Sequence, residues 1–226
     1  MYLLAGLAIA VATLAGCGRQ ATTKAPEVPP TSASGWKTSP PAEPAPDLRG
    51  KRVLMIVAPQ GFRDEEFEEP YQALGAAGAK VVIGSLRRGE CVGAGGTKVQ
   101  ATLTPSQVKV ADYDLLVLVG GPGMVKHLGD ASLVKLAKEF GAAGKLTGAI
   151  CVAPVILAKA GLLKGVKATV WPDMRPSLEA AGAELADEDV VVSGKIITAT
   201  GPQAAKAFAH ALVSSLAATE PAPAAR

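Results

Sequence analysis

The sequence predicts an α/β domain in which helices cover both faces of a mainly parallel sheet. Segments rich in Val, Leu and Ile alternate along the chain with amphipathic segments of helical period. The strand-like segments, such as residues 52–59, are continuously apolar, which is typical of parallel strands buried on both faces. Functional sites in such sheets lie beyond the carboxyl ends of the strands.

The individual elements follow in order between residues 50 and 218. The first helix begins at Asp64, a favourable N-terminal cap, and ends on glycine, as helices commonly do. The last strand-like segment surrounds Ser193-Gly194 and predicts a hairpin or two short strands. The predicted strands are residues 52–59, 80–85, 114–121, 146–150, 167–171 and 189–200, and the predicted helices are residues 64–78, 132–144, 153–163, 176–182 and 202–217.

Composition excludes several classes of function. The 226 residues carry a net charge of +3 with scattered basic residues, and only 4% are aromatic, so no nucleic-acid partner is expected. The three cysteines, Cys17, Cys91 and Cys151, are a poor basis for a disulfide framework. No two of them have metal-ligand spacing, and the two histidines are far apart, so we expect no metal and no cofactor.

The N-terminus is predicted to be a targeting segment. Residues 2–16 are almost wholly apolar but too short to span a bilayer comfortably. They end in "LAGC", which resembles the bacterial lipoprotein signal, so residues 1–17 are predicted to be a signal peptide ending at lipidated Cys17. Gly18 follows the cysteine, which favours an exported protein anchored to the outer membrane or cell surface. No Lys or Arg precedes the apolar run, so an uncleaved anchor or a misread start remains the alternative.

Two further segments are predicted to be disordered. Residues 18–49 contain seven of the 17 prolines, separated mainly by Ser, Thr and Ala, and cannot bury enough surface to offset their ordering entropy. We interpret them as a tether that holds the domain of residues 50–218 away from the membrane. Residues 219–226 are interpreted as a loose tail.

Four motifs occur in order along the domain: "GFRDEEFEEP" (61–70), "YDLLVLVGGPG" (113–123), "AICVAPVILAKAGLLKGVKATVWP" (149–172) and "GKIITATGP" (194–202). Together they resemble those of the DJ-1/PfpI family, in the class I glutamine amidotransferase-like superfamily. The resemblance runs over residues 51–217. It implies a flavodoxin-like three-layer sandwich, which agrees with the alternation above, and a homodimer or higher homo-oligomer.

The resemblance also implies a catalytic site. Cys151 occupies the position of the family's cysteine at a strand-to-helix turn, where free N–H groups stabilise a thiolate. Gly121 and Val152 match the positions whose N–H groups form the oxyanion pocket. Glu66 matches the partner acid, four residues before Pro70, and could donate to the sulfur if buried. The alternatives are that Cys151 fills the core and that Glu66 simply belongs to an acid-rich first turn, as we interpret Glu65, Glu68 and Glu69.

This sequence departs from the family at its usual general bases. Protease-like members follow the cysteine with histidine, where this chain has Val152, and glyoxalase and deglycase members carry histidine where it has Trp171. We expect His127 on the exposed side of a helix start and His210 as a packed or interface residue. Cys91, in "RRGECVGAGG", is interpreted as an exposed loop thiol, with a second redox cysteine as the alternative.

Three functions are compatible with these residues. The favoured hypothesis is stress-related thiol chemistry, in which Cys151 is oxidised to a sulfinate held by Glu66 and the pocket. The second is a cysteine-dependent hydrolase, or a glyoxalase or deglycase acting on small 2-oxoaldehydes. The third is a non-catalytic binding module.

Overall fold

The computed structural model describes residues 46–219, and every structural statement below concerns this part of the chain. The predicted signal peptide, the lipidated Cys17 and nearly all of the predicted tether and tail lie outside it. The strands are β1 (Arg52–Val57), β2 (Gln60–Phe62), β3 (Lys80–Ser85), β4 (Gly89–Gly93), β5 (Lys98–Ala101), β6 (Leu115–Leu118), β7 (Leu146–Ile150), β8 (Lys167–Ala168), β9 (Glu184–Leu185), β10 (Val190–Ser193) and β11 (Ile196–Ala199). The helices are α1 (Asp64–Ala76), α2 (Ala131–Ala142), α3 (Pro154–Lys159), α4 (Arg175–Ala180) and α5 (Ala205–Ala217).

The central sheet has six strands in the order β10-β11-β7-β6-β1-β3. All neighbouring strands are parallel except β10 and β11, which form the predicted hairpin. Strands β1 and β6 are buried along almost their whole length, as their continuous apolar sequences predict. The predicted α/β fold with a mainly parallel sheet is therefore confirmed.

Helices form the two outer layers of the sandwich. Helix α1 packs against α5, and α2 packs against α3. Gly148 in β7 lets α5 approach closely, since a Cβ there would lie 2.6 Å from Leu212 Cδ2 and 3.1 Å from Phe208 Cζ. The domain begins slightly before residue 50, because Leu48 is fully buried and its N–H donates to the Ala77 carbonyl at 2.7 Å.

A second small sheet of β2, β4 and β5 corrects the sequence analysis, which predicted no strand between residues 86 and 113. These strands are short, and β2 and β4 contain glycine while β5 is half polar, so they lack the apolar runs that identify strands from sequence. Asp64 ties this sheet to α1, because its carboxylate accepts the N–H groups of Gly95 at 2.5 Å and Thr97 at 2.8 Å.

Two other elements differ from their predictions. The strand expected at residues 167–171 is only the two residues of β8, which pair with β9 outside the central sheet. The helix expected at residues 153–163 ends at Lys159, and the chain turns at Ala160 and Gly161, where φ is 76°. Within residues 46–219, no helix is both long and apolar enough to cross a bilayer.

Candidate active site

Three adjacent parallel strands bring the sequence-predicted site residues together. In the sheet order, β6 lies between β7 and β1, so the carboxyl ends of all three meet at one edge. Glu66 follows β1 on the first turns of α1, Gly121 follows β6, and Cys151 follows β7. The structure therefore gathers residues from three distant segments at the edge where parallel sheets carry their sites.

Cys151 lies at a tight turn between β7 and α3. Its φ is +63°, and it is the only residue other than glycine with positive φ among residues 46–219. A left-handed conformation costs a residue with a side chain about 1–3 kcal/mol, so neighbouring contacts must hold it in place. The Cys151 N–H donates to the Ala199 carbonyl at 2.9 Å, and its carbonyl accepts the Trp171 N–H at 2.9 Å. The side chain is only 7% exposed.

Glu66 is a fully buried acid beside this thiol. Its Oε2 accepts the Gly120 N–H at 3.1 Å, whereas Oε1 is buried without a hydrogen-bond partner among the described residues. An unpartnered buried carboxylate oxygen is costly when ionised and much less so when it carries a proton. The other acids of the first turns face elsewhere: Glu65 and Glu69 are exposed, and Glu68 accepts from the Thr97 hydroxyl at 2.7 Å.

Gly120 and Gly121 make room for the pair. A Cβ on Gly120 would lie 2.7 Å from Cys151 Cβ, from Glu66 Oε2 and from the Ile150 carbonyl oxygen. Gly121 has φ +103°, and a Cβ there would collide with the backbone nitrogen of Arg63. Only glycine fits either position without moving backbone atoms.

Burial makes the acid and the thiol titrate as a pair. Burial raises the pKa of Glu66 to about 7, against the opposing effects of the Cys151 thiol, the Arg63 charge and the Gly120 N–H. Burial first, and then the charge of Glu66, raise the pKa of Cys151 to about 12. Because a dry site resists a second negative charge, the higher pKa belongs to the second proton of the pair. Between these pH values the pair holds one negative charge.

More backbone donors act on the sulfur than on the carboxyl. The backbone N–H groups of Gly121 and Val152 both lower the pKa of Cys151. The Glu66 carboxyl accepts one backbone N–H, that of Gly120, and the Cys151 thiol also lowers its pKa. A protonated Oε1 could donate to the thiolate, which would satisfy the one oxygen that lacks a partner.

A cavity of about 240 Å³ opens onto Cys151. Its wall is largely apolar and includes Trp171 and Met174, with Arg63 and Asp173 as its charged members. A larger cavity, of about 550 Å³, lies between the start of the described chain, α1 and α5, and contains none of the predicted catalytic residues.

The histidines and Cys91 lie outside this cavity. His127 is half-buried in a short turn before α2, and His210 is exposed on α5, not packed within the protomer as one of the two expectations had it. The prediction of an exposed Cys91 is wrong, because this residue is fully buried in β4. Its burial also opposes the alternative role as a redox thiol, which requires access to oxidant.

Sequence reasoning assigned no role to two residues that shape the site, Gly120 and Arg63. The signal for Gly120 was its place directly before Gly121 at the end of a strand, where a pair of glycines allows close backbone approach. The signal for Arg63 was its position as the one base beside the acidic run of residues 64–69.

Comparison with known proteins identifies the family of this chain. The model of the DJ-1/PfpI family matches residues 51–215. The chain belongs to the DJ-1/PfpI family. It is 43% identical to an uncharacterised protein of Methanocaldococcus jannaschii over 165 residues, which are 72% of this chain and 80% of that protein.

Two further relatives place the chain within the family. It is 34% identical to Deglycase PH1704 of Pyrococcus horikoshii over 151 residues, which are 67% of this chain and 90% of the relative. The crystal structure of a ThiJ/PfpI domain protein from Brachyspira murdochii superposes with a TM-score of 0.74 at 32% identity. That match covers 76% of this chain and all of the other.

The burial of Glu66 predicts a pH dependence of stability. The folded-state pKa of about 7 lies above the ordinary value of 4.5. The folded protein therefore binds more protons between these values, and it loses stability as the pH rises through 7. Relative to Glu66→Gln, the wild-type free energy of unfolding should fall between pH 4 and pH 8 by up to about 3 kcal/mol.

Urea unfolding at both pH values measures this difference. Glu65→Gln is the matched control, since it removes an exposed acid from the same turn of α1 and should track the wild type at both pH values. An equal effect of Glu66→Gln at pH 4 and pH 8 would contradict the account.

Proposed function

We propose that this protein is a cysteine-dependent enzyme acting on small aldehydes, of the deglycase or glyoxalase type, with Cys151 as nucleophile and Glu66 as its acid and base. The observation that carries the proposal is the buried Cys151–Glu66 pair on the wall of a cavity sized for a small molecule. The name of the Pyrococcus horikoshii relative supports the same class of substrate.

The residues present in this chain are sufficient for the proposed reaction. The sulfur adds to the aldehyde carbon, a C–S bond forms, and the carbonyl π electrons move to oxygen. The Glu66 carboxyl gives its proton to that oxygen, which yields a thiohemiacetal. A carboxylate with a pKa near 7 is suited to take a proton back at neutral pH, so Glu66 can replace the histidines found in other family members.

The N–H groups of Gly121 and Val152 are proposed as the oxyanion pocket. Both groups lower the pKa of the Cys151 sulfur, which supports this role, because an oxygen on the carbon bonded to the sulfur would lie within their reach. Overall, a 2-oxoaldehyde plus water gives a 2-hydroxy acid: the aldehyde carbon is oxidised and the ketone carbon is reduced. No external oxidant or reductant is required.

Oxidation of Cys151 to a sulfinate is the second candidate. Two peroxide molecules would supply the two oxygens and leave as water. The unpartnered Oε1 of Glu66 favours this candidate, because a protonated carboxyl there could donate to a sulfinate oxygen. It differs from the first candidate in consuming the thiol rather than regenerating it.

Methylglyoxal consumption with lactate formation separates these candidates. Cys151→Ser and Glu66→Gln should each lower kcat/KM at least about 100-fold, because they remove the nucleophile and its proton carrier. Cys91→Ala is the control, since that thiol lies outside the cavity and should not affect turnover. Absence of turnover, with peroxide adding two oxygens to Cys151, would favour the redox candidate, and an unreactive Cys151 would favour a binding module.

We also propose that the protein is exported and anchored by lipid on Cys17, as the apolar run and "LAGC" suggest. Two or more acyl chains on one cysteine would hold it stably on a membrane. Cys17→Ser should then move the protein from the membrane fraction to the soluble fraction. An unchanged distribution would contradict the lipid anchor. A homodimer or higher homo-oligomer stays a prediction from the family.

A further inference from the structure

Arg63 is the one cation on the wall of the cavity that holds Cys151. It is half-buried and lies just before α1, where its extended backbone donates to the Gly120 carbonyl at 3.2 Å. The same backbone segment packs against Gly121, so the chain is fixed at this point. The backbone from which the Arg63 side chain extends is therefore fixed by the elements that build the catalytic pair.

The Arg63 guanidinium has no hydrogen bond and no ion pair with another residue of the described chain. Glu66 lies near enough for the Arg63 charge to lower its pKa, but no salt bridge joins them. Asp173, the carboxylate on the cavity wall, is exposed and makes no ion pair with Arg63. A guanidinium presents several donors in a planar fork that matches a carboxylate.

Arg63 is the group on the cavity wall that would attract an anionic ligand. Asp173 lies on the same wall but is exposed to solvent, whereas Arg63 is half-buried, so the charge of Arg63 is screened less. Most of the remaining wall is apolar, including Trp171 and Met174. In such surroundings a charge-assisted hydrogen bond is stronger than in water.

We propose that Arg63 is a specificity-determining residue that binds a carboxylate on the substrate, so that the cavity selects small 2-oxoaldehydes that also bear a carboxylate. This inference rests on the proposed function, because it assigns the substrate class of the same site. A carboxylate held by Arg63 would hold the aldehyde carbon of the same molecule beside the Cys151 sulfur, since both residues line this cavity. The thiohemiacetal then forms as described above, with the thiol proton passing through Glu66 to the new hydroxyl.

Paired alkylating reagents measure this preference directly. Iodoacetate and iodoacetamide have nearly the same size and the same leaving group but differ in charge. The ratio of their second-order rate constants at Cys151 is followed in the full-length protein by peptide mass spectrometry. Because both reagents attack the same thiolate, the ratio cancels any change in the thiolate fraction.

Arg63→Gln should lower the iodoacetate-to-iodoacetamide ratio at least about 10-fold, the size expected for loss of a charge-assisted hydrogen bond. Arg63→Lys should restore part of it, since the charge remains but the fork is lost. Lys145→Gln also removes one positive charge, but at the amino end of β7, whereas Cys151 follows the carboxyl end of that strand. It should therefore leave the ratio unchanged. A ratio that is the same in Arg63→Gln and wild type would overturn the proposal.

A second measurement distinguishes failure of this inference from failure of the proposed function. If neither reagent alkylates Cys151, the proposed function fails, and the carboxylate site is then measured without the thiol. Glyoxylate is titrated into Cys151→Ser, with Trp36→Phe so that Trp171 on the cavity wall is the remaining tryptophan. A saturable change in fluorescence that Arg63→Gln abolishes supports the site, and absence of binding refutes it.

Discussion

The catalytic pair can form only because Gly120 has no side chain. Its N–H holds one oxygen of Glu66, and the space where its Cβ would stand is shared by Glu66 and Cys151. A buried acid and a buried thiol can therefore touch without solvent between them. Removal of water is what raises the pKa of Glu66 to about 7 and makes the two groups share one charge. The proton chemistry proposed here therefore requires glycine just after β6, where a Cβ would not fit.

The strained backbone of Cys151 depends on two contacts, one from the fourth motif and one from the far end of its own motif. Its N–H is held by Ala199, the last residue of β11, and its carbonyl is held by the N–H of Trp171. The first motif supplies Glu66, and the second supplies Gly120 and Gly121. All four motifs of the chain therefore converge on one residue, which explains why they occur together. Where other family members place a histidine, Trp171 contributes backbone support and an apolar wall instead.

Sequence alone predicted the central sheet well because its strands are buried on both faces and read as continuous apolar runs. It failed for β2, β4 and β5, which are too short to show a hydrophobic pattern. Contacts such as those of Asp64 with Gly95 and Thr97 hold this small sheet in place. The burial of Cys91 was missed for the same reason, since a strand that is not recognised cannot bury its residues. The sequence could predict that Glu66 and Cys151 lie at the same edge of the sheet. It could not predict the unpartnered Oε1 of Glu66 or the place of Arg63 on the cavity wall, because both depend on side-chain packing.

We infer that the Cys151–Glu66 pair holds one negative charge at neutral pH and that the sulfur carries it. Ultraviolet absorbance of the thiolate tests this claim directly, as the difference between wild type and Cys151→Ser across pH. We expect the thiolate to appear with a midpoint near pH 7, well below the pKa of ~8.5 of a free cysteine. We also expect that Glu66→Leu moves the midpoint upward, because burial then acts without a proton donor beside the sulfur. A thiolate that appears only in strongly alkaline solution would contradict the account, since the charge would then reside on the carboxylate.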